Sequence, residues 1–365
     1  MRPHPSSRPG SGLDDLPFSP AVARAAFPTA HPENPLAWAT AGPPSVKMDG
    51  VVPQPSTLSR FRGCLLGLAI GDALGMPVEG ARASSIRSRL GEVRDFLPAP
   101  WRRLRAGQWT DGTKMALCLA RSIAETGTVD LGDIAGRLLQ WMDSGDWRGM
   151  SDAAYSSLKR LREGVPPERS GEEGEKAQDS GCILRTVPVA LLRCRDMEAL
   201  RRDVQAACFI THRNPEALAG SLAAAFAVSR AALGELEPST LLEDASSFAG
   251  SATLGERLSL AGKLLKTGAE AAEALLRLGI SGSAAETVSA SLFCFLSHPH
   301  DFEEALVAAV SGGSHADETA ALAGAVSGAF LGEEAIPQRW LSGVEGAEEM
   351  AELAERLHSL AFGCG

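Results

Sequence analysis

The stretch RFRGCLLGLAIGDALGMPVEG, residues 60–80, decides how the rest of this sequence is interpreted. Its apolar residues recur at helical spacing. Arg62 and Asp72 interrupt the stretch, which argues against a membrane-spanning helix of the GxxxG type. Four glycines spaced four residues apart fall on one helix face, where a neighbouring helix can approach closely. The stretch therefore predicts a tightly packed core helix. These glycines are Gly63, Gly67, Gly71 and Gly75.

The rest of the globular part also has helical periodicity and few strand-like alternations. A helix is predicted after the run GQWTDGT, and another begins at Asn214-Pro215-Glu216, where an N-cap precedes a first-position proline and an acidic first turn. The segment Glu163–Ser180 is rich in Gly, Glu, Pro and Ser and predicts an exposed loop. We expect about ten helices in one compact all-α domain over residues 58–365. Further helices are predicted over 131–142, 255–278, 284–297, 301–311, 317–331 and 346–361.

The N-terminal segment differs from everything after it. Residues 1–57 hold most of the proline clusters and show no periodic apolar pattern. Such a segment cannot bury enough apolar surface to form a core, so it is predicted to be disordered.

The overall charge of the chain restricts its partners. With a formal net charge of -10, bulk electrostatics favour neither a nucleic acid nor an anionic membrane as a partner. Seven cysteines, an odd number with no CxxC pair, lie mostly in apolar runs and predict reduced, buried thiols. The N-terminus lacks the apolar core of a signal peptide, so a cytoplasmic location is the expectation.

Three polar clusters interrupt the apolar helical sequence. The first joins Asp72 and Glu79 around a Gly-Met-Pro turn, the second is Thr110–Thr113, and the third is Ser314–Thr319 after two glycines. Oxygen groups at helix starts can hold a hard cation such as Mg²⁺. The same groups serve as helix caps more often than as ligands. The clusters alone leave both interpretations open.

Five stretches, taken in order, resemble the ADP-ribosylglycohydrolase family, which includes the enzyme that removes ADP-ribose from dinitrogenase reductase. RGCLLGLAIGDALGMPVEG resembles its opening helix and acidic turn, and GQWTDGTKMALCLARSI resembles its W-T-D-D-T element. SGCILRTVPVAL resembles N-G-S-x-M-R-x-x-P, and THRNPEALAG resembles the T-H-x-x-P element. GGSHADETAALAGAVSGAFLG resembles G-G-D-x-D-T with the helix that follows. The five cover about residues 60–340.

The resemblance implies an all-α fold with two Mg²⁺ ions in a cleft. One or two ions are expected here, and Mn²⁺ or another divalent is a further candidate because of His315. It implies hydrolysis of the bond between ribose C1″ of ADP-ribose and a protein side chain or a small group. Metals would polarise the ribose hydroxyls and a water, which a carboxylate positions or deprotonates. By position, the catalytic candidates are Glu79 and Asp111. The metal candidates matching the family motifs are Thr110, Asp111 and Asp317, and the diphosphate candidates are Gly181, Cys182 and His212.

Three positions depart from the family motifs. Gly112 replaces the second aspartate of T-D-D-T, His315 replaces the first aspartate of D-x-D-T, and Glu318 replaces its threonine. His315 and Glu318 remain candidate ligands, although imidazole suits Zn²⁺, Ni²⁺ or Cu²⁺ better than Mg²⁺. The loss of two carboxylates predicts that one of the two ion sites is weakened or lost.

Two functions therefore follow from the sequence. One is a hydrolase that cleaves ADP-ribosylated proteins or small ADP-ribose conjugates. The alternative is a catalytically impaired member that serves as an ADP-ribose-binding or structural module. Structural interpretations also stay open for Cys182 as a small buried filler, for His212 as a capping group and for His315 as an exposed loop residue.

Overall fold

The structure, a computed structural model, describes residues 54–279 and 281–363. Within these ranges it contains sixteen α-helices and six single 3-10 turns, with isolated β-bridges and no strand. The all-α prediction is confirmed. Most of the segment predicted to be disordered lies outside the described residues. In chain order, the helices are α1 (Thr57–Gly75), α2 (Ala83–Arg89), α3 (Asp111–Thr126), α4 (Leu131–Ser144), α5 (Asp152–Arg162), α6 (Val187–Leu192), α7 (Met197–Phe209), α8 (Pro215–Leu233), α9 (Leu241–Ala249), α10 (Ala252–Lys266), α11 (Ala271–Leu278), α12 (Ala284–Ser297), α13 (Phe302–Ser311), α14 (Ala316–Leu331), α15 (Gln338–Gly343) and α16 (Ala347–Phe362).

The predicted helix boundaries agree with the structure for most long helices. The structure has sixteen helices where about ten were expected, and most of the additional ones are short. The single helix predicted over 255–278 is two helices, α10 and α11, because the chain turns at Gly268 with a φ of +63°. Several short helices lie in segments that had no helical prediction, among them α2, α5 and α9. Short helices carry too few turns for periodicity to identify them.

Helices α1 and α14 form the closest packed pair in the fold. Nearly every residue of α1 is buried, and its glycine face lies against Gly324, Gly328 and the other small residues of α14. A Cβ on Gly67 would overlap the carbonyl oxygen of Gly324. The predicted close approach is confirmed, and it holds the end of α1 beside the start of α14.

The remaining helices surround this pair. Helix α16 packs on α1 and α3, while α12 and α13 pack on α14. Helix α8 lies against α6, α7, α9 and α12, and it begins as predicted, with Asn214 accepting hydrogen bonds from the backbone N–H groups of Glu216 and Ala217 at 2.8 and 3.2 Å. By length and composition, the segment from α1 to Val78 and helix α8 could each cross a membrane. Within the most apolar 18 residues of each, however, 94% and 72% are buried inside the fold.

The segment predicted to be an exposed loop, Glu163–Ser180, is only partly exposed. Ser170, Ala177 and Ser180 are buried. The Ser170 hydroxyl donates to the carbonyl of Ile210 at 2.7 Å, and Glu172 N–H donates to the carbonyl of Thr211 at 2.8 Å. The polar composition of this segment predicted exposure to solvent. Instead, its residues donate hydrogen bonds to backbone carbonyls in the turn after α7.

The cysteine prediction is confirmed for the six cysteines in the described residues. All six are buried and none is in a disulfide. Cys364 lies outside the described residues.

Candidate active site

Asp72, near the end of α1, organises the start of α3. Its buried carboxylate accepts hydrogen bonds from the backbone N–H groups of Thr110 and Thr113 at 2.9 and 3.2 Å, and from the Thr113 hydroxyl at 2.6 Å. Burial and the charge of Asp317 raise the pKa of Asp72 to about 7, although the threonine hydrogen bonds oppose the shift. Thr110 stands at the N-cap position, but its side chain makes no capping hydrogen bond. The N-terminal cap of α3 is therefore supplied by another helix.

Four acidic side chains, here called the acidic cluster, lie around this point: Glu79, Asp111, Asp317 and Glu318. Glu79 follows the 3-10 turn after α1, Asp111 is the first residue of α3, and the other two begin α14. Burial raises the pKa of Asp111 well above its usual range, and the charge of Glu318 adds to the shift. Burial and the charge of Glu318 likewise raise the pKa of Asp317. The charges of Asp111, Asp317 and Glu318 thus act on one another.

A basic side chain that carried no sequence prediction, Arg102, lies in the acidic cluster. Its guanidinium forms an ion pair with Glu79. Its positive charge opposes the rise in pKa of both Asp111 and Asp317. Arg102 belongs to a 3-10 turn in the loop before α3, outside every family motif. Nothing in the local sequence marks it, because its role depends on where that loop folds.

His315 and Glu318, the two departures at the start of α14, are paired with each other. Nδ1 of His315 lies 3.2 Å from Oε2 of Glu318. The Ser180 hydroxyl donates to the same carboxylate oxygen. The imidazole packs against Gly282, where any Cβ would overlap the ring. His315 is therefore a half-buried, packed residue and not an exposed loop histidine.

The third departure, Gly112, also has a partner in the fold. A Cβ on Gly112 would lie 2.6 Å from Cδ1 of Leu184 and 3.8 Å from Oδ2 of Asp72. Leu184, from the turn before α6, fills the space into which a side chain at position 112 would extend. The missing aspartate of the T-D-D-T element is thus replaced by apolar packing.

The three diphosphate candidates lie together beside the acidic cluster. Nε2 of His212 is 2.8 Å from Oδ1 of Asp179, the same oxygen that accepts from the Gly181 N–H at 2.9 Å. Nδ1 of His212 is 2.6 Å from the Thr211 hydroxyl. His212 is fully buried, so its side chain supports the Gly181 loop from behind and does not cap α8, whose N-cap is Asn214.

The side chain of Cys182 points into the core. Its Sγ lies 3.3 Å from the Ser221 hydroxyl and 3.7 Å from the carbonyl of Ala217. Burial raises the pKa of this thiol, but the hydrogen bond from Cys208 and the charge of His212 outweigh that effect and lower it to about 6. Its position agrees with a buried packing residue, and any contact with a ligand would come from its backbone.

The acidic cluster has one place suited to a cation. Oδ1 of Asp317 is buried and has no hydrogen-bond partner, although a buried carboxylate oxygen needs a donor or a positive charge. In the described residues, no group of three or more His, Cys, Asp or Glu side chains is arranged to hold a metal ion. Glu79 already pairs with Arg102, so the described side chains do not present the donor set of a two-ion site.

Comparison with known proteins identifies the family to which this arrangement belongs. The family model for ADP-ribosylglycohydrolase matches residues 53–364. The chain belongs to the ADP-ribosylglycohydrolase family. This member is 28% identical over 340 residues to the ADP-ribosylhydrolase ARH3 of Bos taurus, a match that covers 83% of this chain and 93% of the bovine one. It is 29% identical over 302 residues to the ADP-ribosyl-(dinitrogen reductase) glycohydrolase of Rhodospirillum rubrum, covering 79% and 91%.

A solved structure described as an ADP-ribosylglycohydrolase-related protein complex agrees with the fold of this family member. The two superpose with a TM-score of 0.66 at 30% identity, covering 84% of this chain and 99% of the other. The family assignment and the enzyme class predicted from sequence are confirmed: this is a family of ADP-ribosyl glycohydrolases, and both named relatives are hydrolases. The individual roles predicted for the site residues stay predictions.

Proposed function

We propose that this family member hydrolyses the C1″ glycosidic bond of ADP-ribose conjugates, with the acidic cluster as its catalytic site. The observation that supports this most directly is the orphaned Oδ1 of Asp317, which lies buried among carboxylates that raise one another's pKa. An arrangement so costly for stability is typical of a functional site. The distal ribose would lie at the acidic cluster and the diphosphate near Gly181.

Asp111 is the proposed base of the reaction. Its raised pKa makes the Asp111 carboxylate more basic than that of an ordinary aspartate. The oxygen of water would bond to C1″ while the bond from C1″ to the leaving nitrogen or oxygen breaks. The proton of water would pass to Asp111, and the leaving nitrogen or oxygen would take up a proton from solvent. Glu79, held in orientation by Arg102, would position the water.

One divalent ion is the proposed cofactor, with Mg²⁺ preferred and Mn²⁺ as a substitute. Asp317 would hold it, with Thr110 and Asp111 as further predicted ligands. His315, just before α14, and Glu318, in its first turn, are the remaining candidates. When bound, such an ion polarises ribose hydroxyls and water as a Lewis acid. ADP-ribosylated proteins or small conjugates are the proposed substrates, and a cytoplasmic location stays part of the proposal.

The test is an assay of ADP-ribose release from ADP-ribosylated arginine, ADP-ribosylated serine and small ADP-ribose conjugates, with Mg²⁺, Mn²⁺ and Zn²⁺ each supplied. Asp111→Asn should lower kcat by about 100-fold or more, since a general base contributes on that order. Asp130→Asn, at the exposed N-cap of α4, is the matched control and should keep wild-type activity. Absence of turnover with every conjugate and every ion would rule out the hydrolase.

A second function is supported by the three departures. Leu184 fills the space beside Gly112, and His315 and Glu318 pair with each other. Together with the Arg102–Glu79 ion pair, these features favour an impaired member that binds ADP-ribose without cleaving it. Calorimetry with ADP-ribose separates the two functions. Binding without turnover supports the second function, whereas turnover supports the first.

A further inference from the structure

Arg102 carries a positive charge into the acidic cluster. It forms an ion pair with Glu79, and Gly149 lies against both its guanidinium and the carboxylate of Asp111. The side chains of Arg102 and Glu79 are only 23% and 16% exposed. An ion pair so shielded from water is screened much less than a surface pair.

The backbone around Arg102 is shaped to receive its guanidinium. Arg103, the next residue, has a φ of +59°, which turns the chain sharply after Arg102. On the other side, Gly149 has a φ of +101°, and a Cβ there would overlap the guanidinium while lying 3.4 Å from Oδ1 of Asp111. Arg148, with a φ of +44°, accepts a hydrogen bond at its carbonyl from the N–H of Asp111 at 3.1 Å. Unfavourable backbone conformations on both sides persist only when the surroundings hold them.

The departures at Gly112, His315 and Glu318 are consistent with a cation already built into the site. Leu184 occupies the space at Gly112, and the imidazole of His315 pairs with Glu318. The carboxylates that would attract a second divalent ion are thus absent at positions 112 and 315. The positive charge of Arg102 lies near the carboxylates that remain. Both changes weaken the attraction for a second ion.

We propose that Arg102 is a built-in cation that neutralises Glu79 and Asp111 in place of one of the two ions implied by the family resemblance. The chain then binds at most one divalent ion, at Asp317. This inference deepens the proposed function because it concerns the same site. Its test counts bound metal ions and does not depend on turnover. The inference about Arg102 and the proposed hydrolase function can therefore fail separately.

The experiment titrates the full-length protein with Mn²⁺ alone and follows free Mn²⁺ by electron paramagnetic resonance. Wild type should bind no more than one equivalent. Arg102→Gln removes the charge and should bind one additional equivalent, or bind Mn²⁺ about tenfold more tightly or better. Arg102→Lys keeps the charge and should resemble wild type, as should Arg105→Gln, which removes an exposed arginine from the same loop.

Thermal unfolding with and without Mn²⁺ provides a second measurement. Arg102→Gln should unfold at a lower temperature than wild type in the absence of Mn²⁺, because its acidic neighbours lose their partner, and Mn²⁺ should restore the loss. Two equivalents bound by wild type would overturn the inference even if Arg102→Gln does not fold. An Arg102→Gln variant that binds Mn²⁺ no more than wild type does would overturn it as well.

Discussion

At the scale of single residues, Asp72 shows how one buried carboxylate joins two distant parts of the chain. Its partners, Thr110 and Thr113, follow it by 38 and 41 residues. It replaces a local cap with one from a neighbouring helix, and this fixes where α3 begins relative to α1. Asp111, the first residue of α3, is placed in the acidic cluster by the same bonds.

Replacement of Asp72 by alanine should lower the free energy of unfolding by about 3 kcal/mol, because three donors lose their acceptor inside the fold. Urea denaturation at pH 7.5 measures the change. Asp130→Ala is the matched control: Asp130 caps α4 at the surface, and its loss should cost only about 1 kcal/mol. Equal losses for the two variants would contradict the role given to Asp72.

The pair His212 and Asp179 should make stability depend on pH. Burial alone would lower the pKa of His212, but the charge of Cys182 and the bond to Asp179 raise it. Burial alone would raise the pKa of Asp179, but the bond to His212 lowers it. The contribution of His212 to the free energy of unfolding is complete below its pKa in the unfolded chain, about 6.5. It is lost as the pH rises through its pKa in the folded protein. The aspartate contribution is present above about pH 3.8 and is lost as pH falls through its folded value.

His212→Gln should therefore lose more stability at pH 5.5 than at pH 8.5, by about 1 kcal/mol, in urea denaturation at both pH values. His358→Gln is a control of opposite sign. Burial lowers the pKa of His358, so its titration reduces the stability of wild type at acid pH. The loss caused by His358→Gln should be smaller at pH 5.5. A His212→Gln loss that does not change with pH would contradict the ion pair.

At the scale of helices, the packing of α1 on α14 determines the geometry of the site. The end of α1 approaches so closely that a Cβ on Gly75 would overlap the carbonyl of Ala316 and lie 2.5 Å from the N–H of Asp317. The turn that carries Glu79 and the start of α14 thus meet directly. A shift between the two helices would therefore move the turn that carries Glu79 relative to the start of α14.

Gly67→Ala should destabilise the protein by about 3 kcal/mol, because the added methyl group meets backbone that cannot move independently. The matched control is Gly136→Ala in α4, where a Cβ has no neighbour within 4 Å. That variant should be neutral or more stable by about 0.5 to 1 kcal/mol, since alanine favours helix. Thermal and urea unfolding of both variants measure the difference, and similar behaviour would refute the close packing of α1.

At the scale of the whole molecule, an extensive apolar core stabilises the fold. One large hydrophobic cluster extends through α1, α3, α8, α12 and α14. We expect EDTA to change the melting temperature by less than about 2 °C, because a weakly bound single ion adds little to the free energy of unfolding. Differential scanning calorimetry with and without EDTA measures the change, and unfolding on chelation would show that the metal is structural.

The sequence by itself was enough to predict the all-α fold, the core helix and the family. The fold and the core helix could be predicted because helical periodicity and glycine spacing are local properties of the sequence. The family followed from the resemblance of five motifs in order. The family motifs also identified which carboxylates are missing at positions 112 and 315. Short helices such as α5 and the partial burial of Glu163–Ser180 were not predicted, because burial of polar segments depends on distant hydrogen-bond partners.

Only the tertiary structure decided what replaces the missing carboxylates. Leu184 fills the space beside Gly112 from another turn, and Arg102 reaches Glu79 across a gap of 23 residues. Such contacts depend on how helices pack and where a loop folds back, and no local pattern encodes either. The sequence therefore determined the family and the all-α fold, while the packing of α1, α3 and α14 determined which charged side chains meet in the acidic cluster.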